Sequence, residues 1–454
     1  MKKGDICEGI VTEYEFPNKG ILINDDIKVT VKNVLPGQKI RYMVQKKRHG
    51  SAQGRLLEII EKSPIQTEEP FCPNYGVCGS CIYQTLTYEE QLKIKEKQVL
   101  TLINGVCSDY VYDGIKKNPN ITGYRNKMEF TFGDEYKDGP LALGLHKRGS
   151  FHDIVDASSC KLVNDDYGKV LTAVKEYCAE NELPYFHRIT HEGYLRHLLV
   201  RRAASTGELL IDIVTTRAIS HDFSKLVDRL LALELEGVIV GILNTHNDSV
   251  ADVIKDEGTD ILYGKDYFYE QIMNLKFKIS PFSFFQTNSF GAEVLYGAAR
   301  DYISMSANDK VVYDLYSGTG TIAQILAPAA KKVIGVEIVE EAVIAARENA
   351  KLNKLTNCEF FAGDVLKTLD GIDEMPEMIV LDPPREGIHP KALSKIIDYG
   401  VKQMVYISCK PTSLVRDLEV LQERGYKVER VCMVDMFSWT GHVETVVLMS
   451  KVQK

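Results

Sequence analysis

One cysteine in the C-terminal half of the sequence stands where a reactive thiol could act. Cys409 ends the apolar segment QMVYISC and is followed by Lys410 and Pro411. A thiolate adds to electron-poor carbons and later leaves, and a nearby cation lowers the pKa of a thiol from its reference value of about 8.5. The position therefore predicts covalent catalysis, although many cysteines in apolar strands are small core residues.

Three carboxylates stand where they could serve this nucleophile or a bound cofactor. Asp382 begins the tetrad DPPR after the apolar run EMIVL, and the prolines stiffen the loop that holds it. Glu444, in HVETV, is a candidate general base, with His442 as the weaker alternative. Glu337 ends KKVIGVE nineteen residues after Gly318, where a carboxylate can accept hydrogen bonds from both ribose hydroxyls of a nucleoside.

A glycine-rich turn, DLYSGTG, follows an apolar run at residues 314–320. Where a strand turns into a helix, glycines let the backbone approach a ligand and the helix N-terminus favours its polar groups. The spacing does not fit the GxGxxG turn of dinucleotide dehydrogenases. Asp364, which ends CEFFAGD, could receive an adenine or cap a helix. With Glu337, the turn predicts a nucleoside cofactor at the edge of a sheet.

A second chemical centre is indicated by Cys72, Cys78 and Cys81 in FCPNYGVCGSCIYQ. Three thiols at this spacing in a glycine- and proline-containing loop predict a metal centre without specifying the metal. A fourth ligand must come from elsewhere, and Cys160 in DASSCKL is the candidate. In a reducing compartment the ten cysteines do not indicate a disulfide framework.

Composition limits the class of protein. A chain of 454 residues predicts two or three domains, and a net charge of −8 argues against a uniformly basic nucleic-acid binder, so any RNA site must be a local patch. Apolar runs stay below the length of about 20 residues that a membrane span needs, and the N-terminus lacks the apolar core of a secretory signal. We expect a cytoplasmic protein that does not associate with membranes.

Three parts of the chain differ in pattern and must position these residues. Residues 1–60 alternate apolar and polar side chains between turns, which predicts a small β-barrel. Residues 61–275 predict a central α+β domain, and residues 276–454 alternate strands with helices, which predicts a doubly wound, mostly parallel α/β sheet ending in two strands joined by a loop. Helical periodicity in the central part is clearest over 88–104, 165–182 and 221–234.

The sequence contains, in this order, ISPFSFFQTN, DLYSGTG, LDPPR, SCKP and HVET. It thereby resembles the TRAM-containing class I RNA (uracil-C5)-methyltransferases, and the resemblance covers essentially the whole chain. The resemblance implies a class I S-adenosylmethionine-dependent methyltransferase domain, an N-terminal OB-like TRAM barrel, and methylation of uridine C5 in structured RNA. Cys409 is then the nucleophile and Glu444 the general base. The implied cofactor contacts are Gln286, Tyr316, Glu337 and Asp382. Lys410 departs from the asparagine usual after the nucleophile.

The same resemblance implies the metal centre and the RNA partner. Cys72, Cys78, Cys81 and the distant Cys160 are expected to hold a [4Fe-4S] cluster that staples the central domain, with zinc as the alternative. Ribosomal RNA, of the 23S type, is favoured over tRNA, and the protein is expected to act as a monomer.

RNA contacts are expected from basic segments in the central part and from an aromatic residue. Phe284 or Phe285 could stack on a target base that has left its helix, or could belong to the core. The basic segments could equally be solvated surface or internal ion pairs. They comprise Arg125, Asn126 and Lys127 in GYRNKMEF, and Arg196, His197, Arg201 and Arg202 in LRHLLVRR.

Two other kinds of protein share part of this pattern. A cytosine-C5 methyltransferase would use the same thiolate chemistry but needs a group that binds the 4-amino edge of the base. A non-catalytic RNA-binding factor would keep the barrel and the basic segments and would not need Cys409.

Overall fold

The computed structural model describes residues 1–150, 152–251, 253–304 and 310–452. The N-terminal part forms a sheet of six strands: β1 (Ile6–Ile10), β2 (Glu13–Glu15), β3 (Lys19–Asn24), β4 (Ile27–Lys32), β5 (Lys39–Arg48) and β6 (Ser51–Glu61). Their order is β1-β5-β6-β4-β3-β2. The alternation in the sequence buries Val29, Val31, Ile40 and Tyr42 completely on one side, as the period of two in a strand requires.

Helix α1 (Tyr88–Asn104) has the bounds that the sequence predicts. It begins after Thr87, whose side-chain oxygen accepts a hydrogen bond from the backbone nitrogen of Glu90 at 3.2 Å, which caps the first turn. Leu92, Val99 and Ile103 form its buried face. Strand β7 (Val111–Lys116) follows the helix.

The central part is a mixed sheet with helices on it, as predicted. Its strands are β8 (Lys127–Asp134), β9 (Leu141–His146), β10 (Ile154–Asp156), β11 (Leu195–Arg202), β12 (Glu208–Thr215), β13 (Val238–His246) and β14 (Thr259–Gly264), in the order β10-β9-β8-β11-β12-β13-β14. Helices α2 (Asp165–Glu180) and α3 (Ser224–Leu231) lie within the predicted helical ranges. Val170, Leu171 and Val174 of α2 pack, fully buried, in the core of this part.

The hairpin β15 (Phe268–Ile272) and β16 (Leu275–Ile279) leads into the C-terminal part. There the chain continues through α4 (Ser289–Ser304), β17 (Val311–Leu315), α5 (Thr321–Leu326), β18 (Lys332–Glu337), α6 (Glu340–Leu352), β19 (Cys358–Ala362), α7 (Val365–Thr368), β20 (Met378–Leu381), α8 (Pro390–Asp398), β21 (Gln403–Ser408), α9 (Pro411–Glu423), β22 (Tyr426–Val434) and β23 (Glu444–Lys451). None of the helices in the described ranges is both long and apolar enough to cross a membrane.

The C-terminal sheet has the order β19-β18-β17-β20-β21-β23-β22-β7. The pairs from β19 to β21 are parallel, and β23 pairs antiparallel with both β21 and β22. The strand order reverses between β17 and β20, which is where a doubly wound sheet opens a crevice at the carboxyl ends of its strands. Alternating side chains fill cores on both faces, for example Val312 and Val380 on one and Tyr313 and Ile379 on the other.

Strand β7 lies in the sequence range expected for the central part but forms the outer strand of the C-terminal sheet. It pairs in parallel with β22, and Asp113 accepts hydrogen bonds from the guanidinium of Arg430. The segment VYDGIK is polar, so its sequence does not reveal which sheet it joins. The domain boundaries at residues 60 and 275 stay a prediction. Strand β7, which follows α1, links the first part of the central range to the C-terminal sheet.

Candidate active site

The carboxyl ends of β17, β20 and β21 surround a cavity of about 580 Å³. Its walls contain both predicted catalytic residues, Cys409 and Glu444. Three of the predicted cofactor contacts, Gln286, Tyr316 and Asp382, line the same cavity. Segments far apart in the sequence therefore meet in one place, as expected for residues that follow the strands of a parallel sheet.

Cys409 and Glu444 are brought together by strand register. The antiparallel pairing of β21 with β23 places Ser408 opposite Thr445, so the next positions along the two strands are Cys409 and Glu444. Directly opposite residues in an antiparallel pair have neighbouring side chains on one face of the sheet. Glu444 is buried, only 4% exposed, whereas Cys409 is partly open to the cavity. The arrangement places a carboxyl group beside the thiol.

The glycine-rich turn has the backbone shape that its sequence predicts. Gly318 and Gly320 have φ of 52° and 72°, in the left-handed region that favours glycine. A Cβ atom on Gly320 would lie 2.6 Å from the ring of Phe360, so a side chain does not fit there. Tyr316 also has a positive φ, 70°, an uncommon conformation for a bulky residue that is found at functional sites.

Glu337 lies directly beside this turn and accepts a hydrogen bond from the backbone nitrogen of Gly318 at 3.0 Å. Two buried oxygens nearby, Oδ1 of Asp314 and Oγ of Ser317, have no hydrogen-bond partner within the described ranges. Buried polar atoms are normally paired, so these oxygens fit a ligand that carries donor groups, such as the amino group of an amino-acid moiety. Asp364 lies immediately before α7, at the position of a helix cap.

The carboxyl groups in the cavity have raised pKa values. Burial raises the pKa of Asp382 to about 7. Burial, with a contribution from Asp382, raises the pKa of Glu444 to about 8, while Arg385 acts in the opposite direction. Two like charges close together are unfavourable in a dry site. The carboxyl group of Glu444 is consequently mostly protonated at neutral pH and becomes a carboxylate as the pH rises through about 8.

The cation that lowers the pKa of Cys409 is Arg385, not Lys410. Burial, with contributions from Glu444 and Asp382, raises the pKa of the Cys409 thiol to about 11, while Arg385 acts in the opposite direction. The expectation that a neighbouring cation brings this pKa below its reference value is therefore wrong in this structure, because desolvation outweighs the attraction. Lys410 instead closes a turn, in which its backbone nitrogen lies 3.2 Å from the side-chain oxygen of Ser408.

Two residues expected to face RNA instead hold the loop that carries Gln286. Arg201 is 1% exposed and donates hydrogen bonds to the carbonyl oxygens of Ser280, Pro281 and Ser283 at 2.7 to 2.9 Å. Asn126 donates to the carbonyl oxygen of Gln286 at 2.9 Å. Both side chains are thus used inside the molecule, which fixes one wall of the cavity.

The other basic residues of these segments divide between the interior and the cavity. Arg196 is buried and donates to the carbonyl oxygens of Asn247 and Ala251, and His197 is 7% exposed. Arg202 pairs with Asp166 and Glu236, and Lys127 pairs with Glu129. Arg125 alone among them lines the cavity. Most of these residues therefore make hydrogen bonds or ion pairs within the protein, which is the alternative to RNA contacts that the sequence left open.

The exposed fractions of Phe284 and Phe285 show which of the two rings in FSFFQ belongs to the core. Both rings line the cavity, but Phe284 is 65% exposed, whereas Phe285 is 4% exposed and packs against Phe277 with ring centres 5.7 Å apart. Phe284 is therefore the ring available to stack on a planar ligand.

One cavity residue, Tyr296, has a place that sequence reasoning did not assign, and another, His442, is the weaker alternative base that the sequence offered. Tyr296, in α4, is buried, and its hydroxyl group is hydrogen-bonded to the side chain of Gln286 and lies near Asp382. Burial and the nearby cations, Arg385 foremost, lower the pKa of His442 to about 4, which makes it a weaker base than Glu444. Tyr296 gave no signal, because a tyrosine on the buried face of a helix is common in cores.

The four predicted cysteines line a second cavity, of about 350 Å³. Cys72, Cys78, Cys81 and Cys160 all contribute to its wall, and all carry free thiols. Burial, together with the other three thiols, raises the pKa of Cys81 to about 12. Within the described part of the chain, no group of three or more His, Cys, Asp or Glu side chains has the arrangement of a metal-ion site. Arg125 and Thr287 line both this cavity and the first one.

Comparisons with known proteins identify the class of enzyme. The family model described as tRNA (Uracil-5-)-methyltransferase matches residues 202–452. An uncharacterized RNA methyltransferase of Clostridium tetani is 47% identical over 448 residues, which cover 98% of each chain. Another, of Caldanaerobacter subterraneus subsp. tengcongensis, is 46% identical over 453 residues, which cover 99% of this chain and 100% of that protein.

A crystal structure of Pyrococcus abyssi tRNA (uracil-54, C5)-methyltransferase in complex with S-adenosyl-L-homocysteine has the same fold. The TM-score is 0.76 at 24% identity, and the match covers 98% of this chain and 100% of that one. The family model spans more than half of the sequence, and both relatives align almost from end to end. This chain therefore belongs to the uracil-5 methyltransferase family of S-adenosylmethionine-dependent RNA methyltransferases.

Proposed function

We propose that this protein methylates C5 of a uridine in structured RNA, with Cys409 as the nucleophile and Glu444 as the general base. The observation that carries the proposal is the register of β21 and β23, which sets the thiol and the carboxyl group side by side in the cavity. Gln286, Tyr316, Glu337 and Asp382 are the proposed contacts of the methyl donor. The unpartnered oxygens of Asp314 and Ser317 support a ligand with amino and hydroxyl groups at this place.

The chemistry follows from the weakness of uracil C5 as a nucleophile. The Cys409 thiolate adds to C6, and the electron pair of the C5=C6 bond moves into the ring, so that C5 becomes electron-rich. S-adenosylmethionine, when bound, supplies an electrophilic methyl group that C5 takes. Glu444 then removes the C5 proton, the electrons of the C5–H bond re-form the C5=C6 bond, and the thiolate of Cys409 leaves. The ring ends with one methyl group more and one proton fewer.

The direct test is methyl transfer to RNA labelled either in uridine or in cytidine. We expect methylated uridine alone, because the proposed reaction takes place on C5 of uracil. Methylated cytidine as the main product would contradict the proposal and favour the cytosine-C5 alternative.

We propose 23S ribosomal RNA as the substrate. The basis is the resemblance to family members in which a TRAM-like N-terminal part is followed by a loop with three cysteines, here the segment that contains Cys72, Cys78 and Cys81, which we call the cysteine loop. A second candidate is tRNA, because the structure of a tRNA enzyme from Pyrococcus abyssi matches this chain over nearly its whole length. Mapping 5-methyluridine in RNA from a deletion strain and its parent distinguishes them. Loss of a site in 23S rRNA supports the first, and loss in tRNA supports the second. We propose that the protein acts as a monomer.

Replacing Glu337 by alanine is expected to weaken binding of the methyl donor. A carboxylate that accepts two ribose hydrogen bonds contributes about 1.5–3 kcal/mol, so the dissociation constant should rise roughly tenfold to a hundredfold. Calorimetric titration with S-adenosylhomocysteine measures the change. Glu340→Ala, three residues further on at the start of α6, is the matched control and should bind normally. Equal affinities for both variants would remove Glu337 from the donor site.

The rate of methylation is expected to rise with pH between 6 and 9. Cys409 and Glu444 must both be deprotonated to act, and burial raises both of their pKa values, to about 11 and about 8 respectively. Because a raised pKa keeps a group protonated at low pH, activity increases as pH passes upward through these values. Arg385→Gln should move the rise to higher pH, since Arg385 lowers both pKa values. The profile of kcat/KM measures this, and a flat or falling profile would argue against ionisation of these groups.

We further propose that the cysteine cavity holds a [4Fe-4S] cluster. Four thiols line a space of about 350 Å³, which is larger than a single ion requires, and clusters of this type are bound by four cysteine thiolates. The cluster would hold the loop containing Cys72, Cys78 and Cys81 against the segment containing Cys160. Zinc, with four thiolates at about 2.3 Å, is the alternative ligand.

Protein purified without oxygen is expected to contain about four iron and four sulfide ions per chain. Cys160→Ala should lose most of both, together with the visible absorbance of the cluster. Cys178→Ala is the matched control, because Cys178 is buried in α2 and does not line the cavity. Stoichiometric zinc without sulfide in the native protein would contradict the cluster.

A further inference from the structure

The segment of residues 435–443, between β22 and β23, separates the two cavities. Thr440 lines the cysteine cavity, whereas Phe437 and His442 line the active-site cavity. The segment ends at Glu444, the first residue of β23. We call residues 435–443 the dividing segment. Its conformation determines where the chain enters β23 and therefore where the carboxyl group of Glu444 lies.

A buried ion pair fixes the start of the dividing segment. Lys95 of α1 donates to Asp435 at 2.5 Å, and both side chains are fully buried. Lys95 also donates to the carbonyl oxygen of Phe437 at 3.1 Å. Tyr88 and Ser438 donate to the other oxygen of Asp435, at 2.8 and 3.0 Å. A buried ion pair is tolerated when its remaining atoms are hydrogen-bonded in this way.

Trp439 joins the dividing segment to the cysteine loop. It is the single tryptophan of the chain, is 7% exposed and has a φ of 68°, a conformation that surrounding contacts must impose. Its carbonyl oxygen accepts a hydrogen bond from the backbone nitrogen of Ile82 at 2.8 Å. Its ring lies 5.3 Å from that of Phe71, edge to face.

The same ring reaches the proposed cluster ligands. Trp439 forms one apolar cluster with Tyr124 and Leu162, and both Cys81 and Cys160 pack against that cluster. Phe437 of the dividing segment, which lines the active-site cavity, also packs against this apolar cluster. The indole nitrogen donates to the carbonyl oxygen of Ile121 at 2.7 Å. A continuous set of contacts therefore runs from the cysteine cavity to the wall of the active site.

We propose that Trp439 is a positioning residue that lets the cysteine loop set the placement of Glu444, so that disturbing the loop slows removal of the C5 proton more than methyl transfer. This inference rests on the proposed function, because it needs Glu444 to be the base. Cys409 directly follows β21, a strand that the chain reaches from α8 and not through the dividing segment. The two halves of the reaction should therefore respond differently to changes at Trp439.

Trp439→Phe keeps an aromatic ring but loses the indole hydrogen bond. In single-turnover reactions with RNA and S-adenosylmethionine, we expect methyl transfer within about threefold of wild type and release of methylated RNA slowed tenfold or more. A covalent protein–RNA complex should then accumulate on denaturing gels. Phe130→Leu, a fully buried change in the core of the central part, is the control and should leave the ratio of the two steps unchanged.

A milder variant tests the same inference if Trp439→Phe folds poorly. Tyr124→Phe removes only the hydroxyl that donates to the carbonyl oxygen of Ser438 at 3.0 Å, and it should slow release in the same direction. Independently of activity, fluorescence of Trp439 should shift to longer wavelength in Cys160→Ala relative to Cys178→Ala. Release at the wild-type rate in both aromatic variants, or an unchanged emission in Cys160→Ala, would overturn the inference. A wild-type protein that methylates no uridine would instead overturn the proposed function.

Discussion

Cys409→Ala is expected to abolish methylation, with a fall in rate on the order of 10⁴-fold or more, because addition of the Cys409 thiolate to C6 is the proposed step that makes C5 of uracil nucleophilic. Transfer of a labelled methyl group from S-adenosylmethionine to RNA measures the loss. Binding of S-adenosylhomocysteine should stay within about twofold of wild type, since Cys409 is not among the proposed contacts of the methyl donor. Normal binding would show that the variant is folded.

RNA that contains 5-fluorouridine should trap the proposed covalent bond between Cys409 and the uracil ring. Fluorine at C5 cannot be removed as a proton, so the adduct between Cys409 and C6 should persist on a denaturing gel in the presence of the methyl donor. Cys432→Ala, a buried cysteine of β22, should still form the complex, whereas Cys409→Ala should form none. A trapped complex in Cys409→Ala would assign the nucleophile to another residue.

Glu444→Gln is expected to stop the reaction at a later point. Glutamine has nearly the same shape as glutamate but cannot accept the C5 proton as a base, and general-base catalysis contributes about 10²–10⁴-fold. Methyl transfer should therefore proceed once, while turnover falls by that factor. The methylated RNA should remain attached to Cys409 with unmodified uridine as substrate, which a denaturing gel detects without any fluorinated analogue.

The matched control is Glu386→Gln, because Glu386 is an exposed glutamate next to Arg385. It should turn over normally and leave no attached RNA. If Glu444→Gln turned over at the wild-type rate, the proton would have to leave by another route. If it failed to transfer any methyl group, Glu444 would act before the proton step.

Much of the site could be predicted because the ends of parallel strands meet at one edge of a sheet. Tyr316, Asp382 and Cys409 each follow an apolar strand, so their proximity follows from the fold class. Cys160 was expected to join the other three cysteines, and it lines the same cavity. The bounds of α1 followed from a regular apolar face, Leu92, Val99 and Ile103 among them.

Other features depend on information that local sequence does not contain. The proximity of Glu444 to Cys409 needs the register between two antiparallel strands separated by a helix, a strand and a loop. Arg201 looks like an RNA contact in sequence, because a guanidinium that binds carbonyl oxygens and one that binds phosphate have the same residue type. The pKa of Cys409 is raised because burial outweighs Arg385, a balance that depends on three-dimensional packing.

The position of β7 has a consequence for how the molecule is made. Val111 of β7 and its partner Arg430 of β22 are about 320 positions apart in the chain, and pairing over so long a separation carries a loop-closure cost that slows folding. The outer strand therefore leaves the ribosome long before the strands that receive it. Since Glu444 is the first residue of β23, which follows β21 along the chain, a nascent chain cannot bring the thiol of Cys409 and the carboxyl group of Glu444 together until β23 has been synthesised.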